Sequence, residues 1–600
     1  MSDYGPTPGR ESSSTTPHVI EHMRSSTCAT PSFLGLLFVL LLSVQLVLYR
    51  QSFSVKPSND DFIALHQIDR GETEGVWSFF MASDAGDYRP LQNVTFWLFG
   101  RIAKQHILLS LRILHFLSFI FYALVAFLWI RAASLNRVGT VAAACVVFLH
   151  PTLAGALAGL DNYTRFVVSA WVWLGVWIAY VHGRRPLLAV PLVSLCFVLG
   201  LGYMEYAIAL IPLAVLATAW RGGRRSFHGA LFMFVSLMTI FSAYFLMRVS
   251  GVMATTTGTG FLSLNPMVWV KNISLMLGAG LFFGNTVPIL QEVSLSGLVW
   301  LGSNVTLVVL AVAYGIRAGR HELVPSAGVN PQSISAAVPI LPRRLGFLCV
   351  VFAVSFFPML LMKHISEIYL SAVTLGLALL IGLSAHGWTT VSRPLRYLGL
   401  CLAGSQLFLA ANAIQGKVAG INETGERTDE MMHQLFEHLP NDGRAKSVAM
   451  VFVKQKGTSS KSYSVFAMPD DELVLRGYGT FAIRWFRPDQ DIRLDDLVVT
   501  DLSVVDFKAY DVVLLWDGST RQFSPIRGSP SRPAPPHLPR PVPSHSSRLD
   551  ARMKRANNTV CRGFWAARCP PSWTVVDLDK FLRARHQINH EMWPYRSLGA

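Results

Sequence analysis

The acidic side chains that stand beside long apolar runs are the residues of this chain best placed to do chemistry. Asp60 and Asp61 are adjacent, in SNDDF, within about ten residues of a membrane-length apolar segment. Neighbouring carboxylates repel each other, so the pair calls for a cation or hydrogen-bond donors. A carboxylate held in that way can take a proton from an attacking hydroxyl. A divalent cation bound by Asp60 and Asp61 is one candidate partner, and a cationic side chain is the other. Asp84 and Asp87 lie in the same loop, followed by Tyr88 and Arg89. Asp161 stands in GLDNYTR with Arg165, and Glu205 in YMEY. Glu367 stands in KHISEIY, after Lys363 and His364 and before Tyr369. Arginine suits bidentate contact with phosphate, so Arg89, Arg165, Lys363 and His364 are candidates for steadying one. The plain alternative for Arg89 is an ion pair with Asp87 across a turn. Loops outside a membrane lose arginine and keep acids by default. Glu205 and Glu367 differ from such loop charges because two apolar segments meet there almost without a loop.

The bulk composition says what must position these residues. The chain has 600 residues, 52% hydrophobic and 15% charged, with a mean hydropathy of +0.39. A soluble globular chain carries about 25% charged residues. Several apolar runs approach or exceed ~18 residues, enough to cross a bilayer. The fold class expected is therefore a polytopic α-helical membrane protein. The net charge of +16 lies largely in short loops between apolar segments, where the positive-inside rule places it. Nucleic-acid binding is a poor reading of that charge. Of the seven cysteines, Cys145, Cys196, Cys349 and Cys401 fall in apolar segments as small packing residues. No Cys/His pattern has zinc spacing.

Residues 1–31 are rich in Ser, Thr and Pro and read as a disordered cytoplasmic tail. Residues 33–49 form the first span, an uncleaved anchor. Further apolar segments lie near 111–130, 138–157, 165–181, 187–203, 205–220, 229–247, 273–290, 297–316, 345–362, 368–386 and 396–414. Five arginine-rich loops should be cytoplasmic. Three apolar segments between two of those loops cannot all cross, and the glycine-rich 273–290 is the one read as re-entrant. About eleven spans result, within a transmembrane domain at 32–415 whose first outer loop is 50–110. The N-terminus is then cytoplasmic and the C-terminal part extracytoplasmic. Residues 420–523 read as a small α/β or α+β domain, 524–549 as a Pro-rich linker and 550–600 as a basic tail. Asp489-Gln490-Asp491 reads as a surface turn.

The order of these features resembles the GT-C class of membrane glycosyltransferases, and more closely the protein O-mannosyltransferase branch and its bacterial relatives. The resemblance rests on NDDF after the first span, DYRPLQNVTFWLFG at 87–100, FLHP at 148–151 with DNYTR at 161–165, YMEYAIALIP at 203–212 and KHISEIYL at 363–370. It covers about residues 33–390. Met204 stands where those relatives carry Lys before the Glu, and Ile368 where an Arg is expected after Glu367. The resemblance implies transfer of a sugar from a polyprenyl-phosphate carrier to an acceptor hydroxyl on the outer face. The acceptor would be a protein, a lipid or a polysaccharide. Asp60 or Asp61 would be the base of an inverting attack, and Asp87, Tyr88, Asp161, Glu205, Glu367 and Tyr369 would line the cavity. The competing class is a transporter or flippase of a lipid-linked saccharide. Such proteins place ionisable groups near the midplane of broken helices and often show repeated halves. Here the acids fall at helix ends and no repeat is seen.

Overall fold

In the computed structural model of the chain, the described residues are 30–58, 61–80, 88–102, 106–133, 135–160, 162–220, 224–252, 265–286, 295–321, 340–360, 367–439, 446–453, 479–487, 492–499, 501–517 and 520–527. Asp60, Asp84, Asp87, Asp161, Lys363, His364 and Asp489–Asp491 lie outside them, and so do residues 528–600. Glu367 is described by its backbone alone.

The chain is a polytopic α-helical membrane protein with a small sheet near its C-terminal end. Among the described residues nine helices are long and apolar enough to cross a membrane, and two shorter apolar helices, Glu205–Trp220 and Gly346–Leu360, accompany them. Nine of the eleven expected spans are thus met, and the two shorter helices fall on the remaining expected segments, 205–220 and 345–362. The first helix, α1 (Pro31–Leu48), starts at a Thr30 cap with proline in its first turn. Both features favour a helix start. Next come α2 (Asp61–Thr73), α3 (Pro90–Ile102) and α4 (Ile107–Ala132). After α5 (Arg137–Leu149) the chain turns at His150-Pro151 and makes the short α6 (Ala154–Ala158). Then follow α7 (Thr164–His182), α8 (Pro186–Tyr203), α9 (Leu210–Trp220) and α10 (Arg224–Val252).

The next helix, α11 (Pro266–Leu281), has 16 residues. That is about 24 Å, short of a ~30 Å hydrocarbon core. Its Asn272 donates to the Met359 and Leu360 carbonyls at 3.1 and 3.2 Å, and its Gly280 carbonyl meets His150 Nε2 at 2.8 Å. Those partners sit at the helix ends nearest the acidic motifs. α12 (Leu295–His321), α13 (Ile340–Ser355), α14 (Phe357–Leu360) and α15 (Ser371–Trp388) complete the apolar bundle. Helices in lipid lack a hydrophobic drive to associate, so small residues set their contacts. α5 and α15 cross where a Cβ on Gly139 would lie 2.5 Å from the Gly382 carbonyl.

The last helix, α16 (Arg393–His438), has 46 residues. Its length of about 69 Å is twice what a span needs. It runs without a break through 415–420, where the composition turns polar. A stiff rod, not a loop, therefore joins the membrane part to the sheet. The strands are β1 (Ser447–Val453), β2 (Arg493–Val499), β3 (Val512–Asp517) and β4 (Gln522–Arg527), and α17 (Gly479–Phe486) lies between β1 and β2. Their order is β2-β1-β3-β4; β1 pairs in parallel with β2 and β3, and β4 is antiparallel to β3. Of the two classes expected for this part, the sheet is the α/β one.

Strand β1 is buried on both faces, which explains its unbroken apolar run, SVAMVFV. Ala449 and Val451 pack with Val505 and Val513 on one face. Val448, Met450 and Phe452 face the other way. They share one core with Phe62, Leu65 and Ile68 of α2 and Met431, Met432 and Leu435 of α16. The sheet thus rests on the helix that begins at Asp61.

Candidate active site

Asp61 opens α2, and its side chain is buried. Oδ2 accepts the Ser58 N–H at 3.1 Å, and Oδ1 accepts the Leu160 N–H at 2.7 Å. The first bond satisfies an amide at the start of the helix. The second ties the first acidic loop to the turn before α7. The bond joins residues 99 positions apart in the chain. Beneath it lies Arg112, fully buried in the second turn of α4. Its guanidinium donates to the Val55 carbonyl at 3.3 Å and to the Ala158 carbonyl, and its charge acts on Asp61. Arginine at the end of a span is tolerated where carbonyls and a carboxylate surround it.

Arg89 and Glu205 meet across the bundle. Nη2 lies 3.2 Å from Oε2 and Nε lies 3.4 Å from Oε1, with each side chain about a quarter exposed. The alternative partner, Asp87, lies outside the described residues. Tyr88 precedes Arg89 and stacks obliquely on Tyr244, with ring centroids 5.9 Å apart. Burial pushes the Tyr88 phenol above its usual range. α3 is held to its neighbours by Tyr163 Oη, which donates to the Gln92 carbonyl at 3.0 Å, and by Thr95 and Tyr203, whose hydroxyls are 3.1 Å apart.

Arg165 sits in the first turn of α7 and is only 9% exposed. Its guanidinium lies over the Tyr369 ring, 4.1 Å from the centroid, and Nη1 reaches the Met204 sulfur at 2.7 Å. Its Nε has no hydrogen-bond partner. Among the described residues no carboxylate pairs with Arg165. Met204 directly precedes Glu205, so the Arg165–Tyr369 stack and the Arg89–Glu205 pair are joined through neighbouring residues of the chain. Leu370, next to Tyr369, opens an apolar cavity also lined by Met276, Leu281, Phe352, Phe356 and Val373.

The structure thus pairs Arg165 with Tyr369 and Arg89 with Glu205, and places Asp61 on the Leu160 amide, in the turn that leads to Arg165. Among the described residues no group of three or more His, Cys, Asp or Glu is arranged to hold a metal. Both Asp61 oxygens already accept backbone amides. At the α2–α17 contact, burial and then the Arg484 guanidinium hold the His66 imidazole below its ordinary value.

Arg112 is the residue that sequence reasoning passed over. It stands in LLSLRILHFL, and a lone cation inside an apolar run is itself a signal. Lys417, buried in α16 with its ammonium 3.4 Å from the Pro151 carbonyl, carries the same signal.

No family model matches the chain, and no curated protein matches it. Among solved structures it is similar to the oligosaccharyltransferase of Archaeoglobus fulgidus in complex with Zn and sulfate. The two are 13% identical with a TM-score of 0.33, over 72% of this chain and 61% of that one. The apo form of the same enzyme gives 12% identity and a TM-score of 0.34, over 72% and 64%. The chain thus spans less than two thirds of the length of either structure. The reading of the site rests on its own residues and not on that likeness.

Proposed function

We propose that the chain is a GT-C-type membrane glycosyltransferase. It moves a sugar from a polyprenyl-phosphate carrier to an acceptor hydroxyl at the acidic, extracytoplasmic end of the bundle. The observation that carries this reading is Arg165, a buried guanidinium with no carboxylate partner among the described residues and an unsatisfied Nε. A buried charge without a counter-charge is costly, so the pocket suits an anion that arrives with the substrate. Tyr369 covers one face of the guanidinium and leaves its edge for oxygen atoms. A lysine at 204 would set a second cation against Arg165, whereas the Met204 sulfur accepts from it.

The chemistry follows from the charges. Asp60 takes the proton of the acceptor hydroxyl while its oxygen attacks the anomeric carbon from the face opposite the phosphate. The bond between that carbon and the phosphate oxygen breaks, and the configuration inverts. The phosphodiester, a monoanion, leaves as a phosphate monoester that gains negative charge as the bond lengthens. Arg165 is placed for that developing charge, where fixed cations help most. Arg89, held by Glu205, supplies a second cation nearby. Asp61, anchored by two amides, fixes the start of the helix that follows Asp60. The acceptor is a protein, lipid or polysaccharide hydroxyl.

The test is to give the purified protein a panel of polyprenyl-phosphate sugars and follow carrier turnover. The wild type should release polyprenyl phosphate from one of them, and Asp60→Asn should reduce that rate about a hundredfold. Carrier flipping in vesicles without sugar transfer, abolished by Asp60→Asn, would instead support the transporter reading.

A further inference from the structure

The loop that carries the acidic pair is pressed against the last helix. A Cβ built on Gly425 of α16 would lie 2.5 Å from the Lys56 carbonyl oxygen and 3.1 Å from the Lys56 nitrogen and carbonyl carbon. Those are backbone atoms, so no rotamer change can relieve the contact. One turn along α16, Asp429 forms an ion pair with the Lys56 ammonium. Val55, on the other side of Lys56, has its carbonyl bonded to Arg112. Lys56 is four residues before Asp60. A glycine inside a helix costs about 1 kcal/mol relative to alanine, so its presence in this stretch of α16 calls for a reason. The close approach of the Lys56 backbone supplies one.

We infer that Gly425 is a positioning residue for the reaction, and that the polar half of α16 is the platform against which the segment at Lys56, leading to Asp61, is set. The inference rests on the glycosyltransferase reading above. Alanine at 425 would leave α16 intact, since alanine is the better helix former. It would push the Lys56 backbone outward by about 1 Å, and a displacement of that size can cost about a hundredfold in rate. The Lys56–Asp429 pair is partly exposed, with side-chain exposures of 47% and 21%. Its share is therefore smaller.

The experiment measures kcat and donor KM for Gly425→Ala, Lys56→Asp, Asp429→Lys and the charge-swapped double variant, with thermal unfolding of each. The expected result for Gly425→Ala is a kcat lowered ten- to a hundredfold, with donor KM within about twofold and a melting temperature lowered by no more than a few degrees, since the better helix propensity of alanine offsets part of the overpacking. The single charge variants should each lose about threefold in kcat, and the double swap should recover most of it. Wild-type kcat in Gly425→Ala overturns the inference, and so does a loss of kcat that disappears when the variant is assayed well below its own melting temperature. Asp60→Asn, measured alongside, separates the two levels. If it is inactive while Gly425→Ala is fully active, only the positioning role fails. If Asp60→Asn is fully active, the glycosyltransferase reading fails with it.

Discussion

Replacing Arg165 with methionine should lower kcat/KM for the carrier-linked donor about a thousandfold, the scale of losing a fixed donor to a developing oxyanion. The same change should leave the unliganded protein as stable as the wild type or more so. The reason is the position of the guanidinium. It is nine-tenths buried, stacked on Tyr369 and without a carboxylate partner among the described residues. Its desolvation is uncompensated until an anion binds, and apolar replacements of buried charges are often neutral or stabilising. Methionine fills similar volume beside Met204 and Tyr369 with a flexible apolar chain. Arg165→Lys keeps the charge but loses the planar fork, so its rate should fall between the two. Initial rates and thermal unfolding in detergent check this. A methionine variant that melts earlier yet still turns over donor would show that Arg165 serves the fold and not the phosphate.

Removing Arg112 should have the opposite signature, with the damage appearing in stability. Arg112→Met leaves the Asp61 carboxylate without the cation that faces it and strips the Val55 and Ala158 carbonyls of their donor. Leaving those two buried carbonyls without their donor costs about 1–3 kcal/mol each, and the lost attraction for Asp61 adds to it. The Asp61 bonds to Ser58 and Leu160 would then hold a carboxylate that has lost the nearby Arg112 charge. Asp61→Asn combined with Arg112→Met should be less destabilising than the sum of the two single changes, because the second removes the charge that the first leaves stranded. Unfolding free energies for the three variants give the coupling. Strict additivity would mean that Arg112 and Asp61 do not act on each other. Activity should fall in Arg112→Met as well, since the loop before Asp60 loses one of its anchors.

Much of the scaffold can be read along the chain, because each span is a local statement. A run of about 20 apolar residues is a membrane helix whatever surrounds it, and arginines in short loops set which ends lie together. Segments such as 111–130 and 368–386 therefore reappear as α4 and α15 within a few residues. The apolar run of β1 likewise reads as a buried strand. The length of α16 was less legible. Composition changes near 415, but a helix can continue from an apolar face into a polar one when the polar half packs on other parts of the chain, as Met431, Met432 and Leu435 do here.

The site divides along the same line. From the amino-acid order alone came the acidic motifs, the helix ends that carry them and the arginines suited to an anion, since charge beside a span is costly wherever the chain goes. Which partners meet was left to tertiary packing. Arg89 takes Glu205 from 116 positions away, and Asp61 takes the Leu160 amide from 99 away. Arg165 lies on Tyr369 with no acid among the described residues, and Gly425 closely approaches the Lys56 backbone. Such pairings depend on how whole helices cross, and no local spacing encodes a crossing.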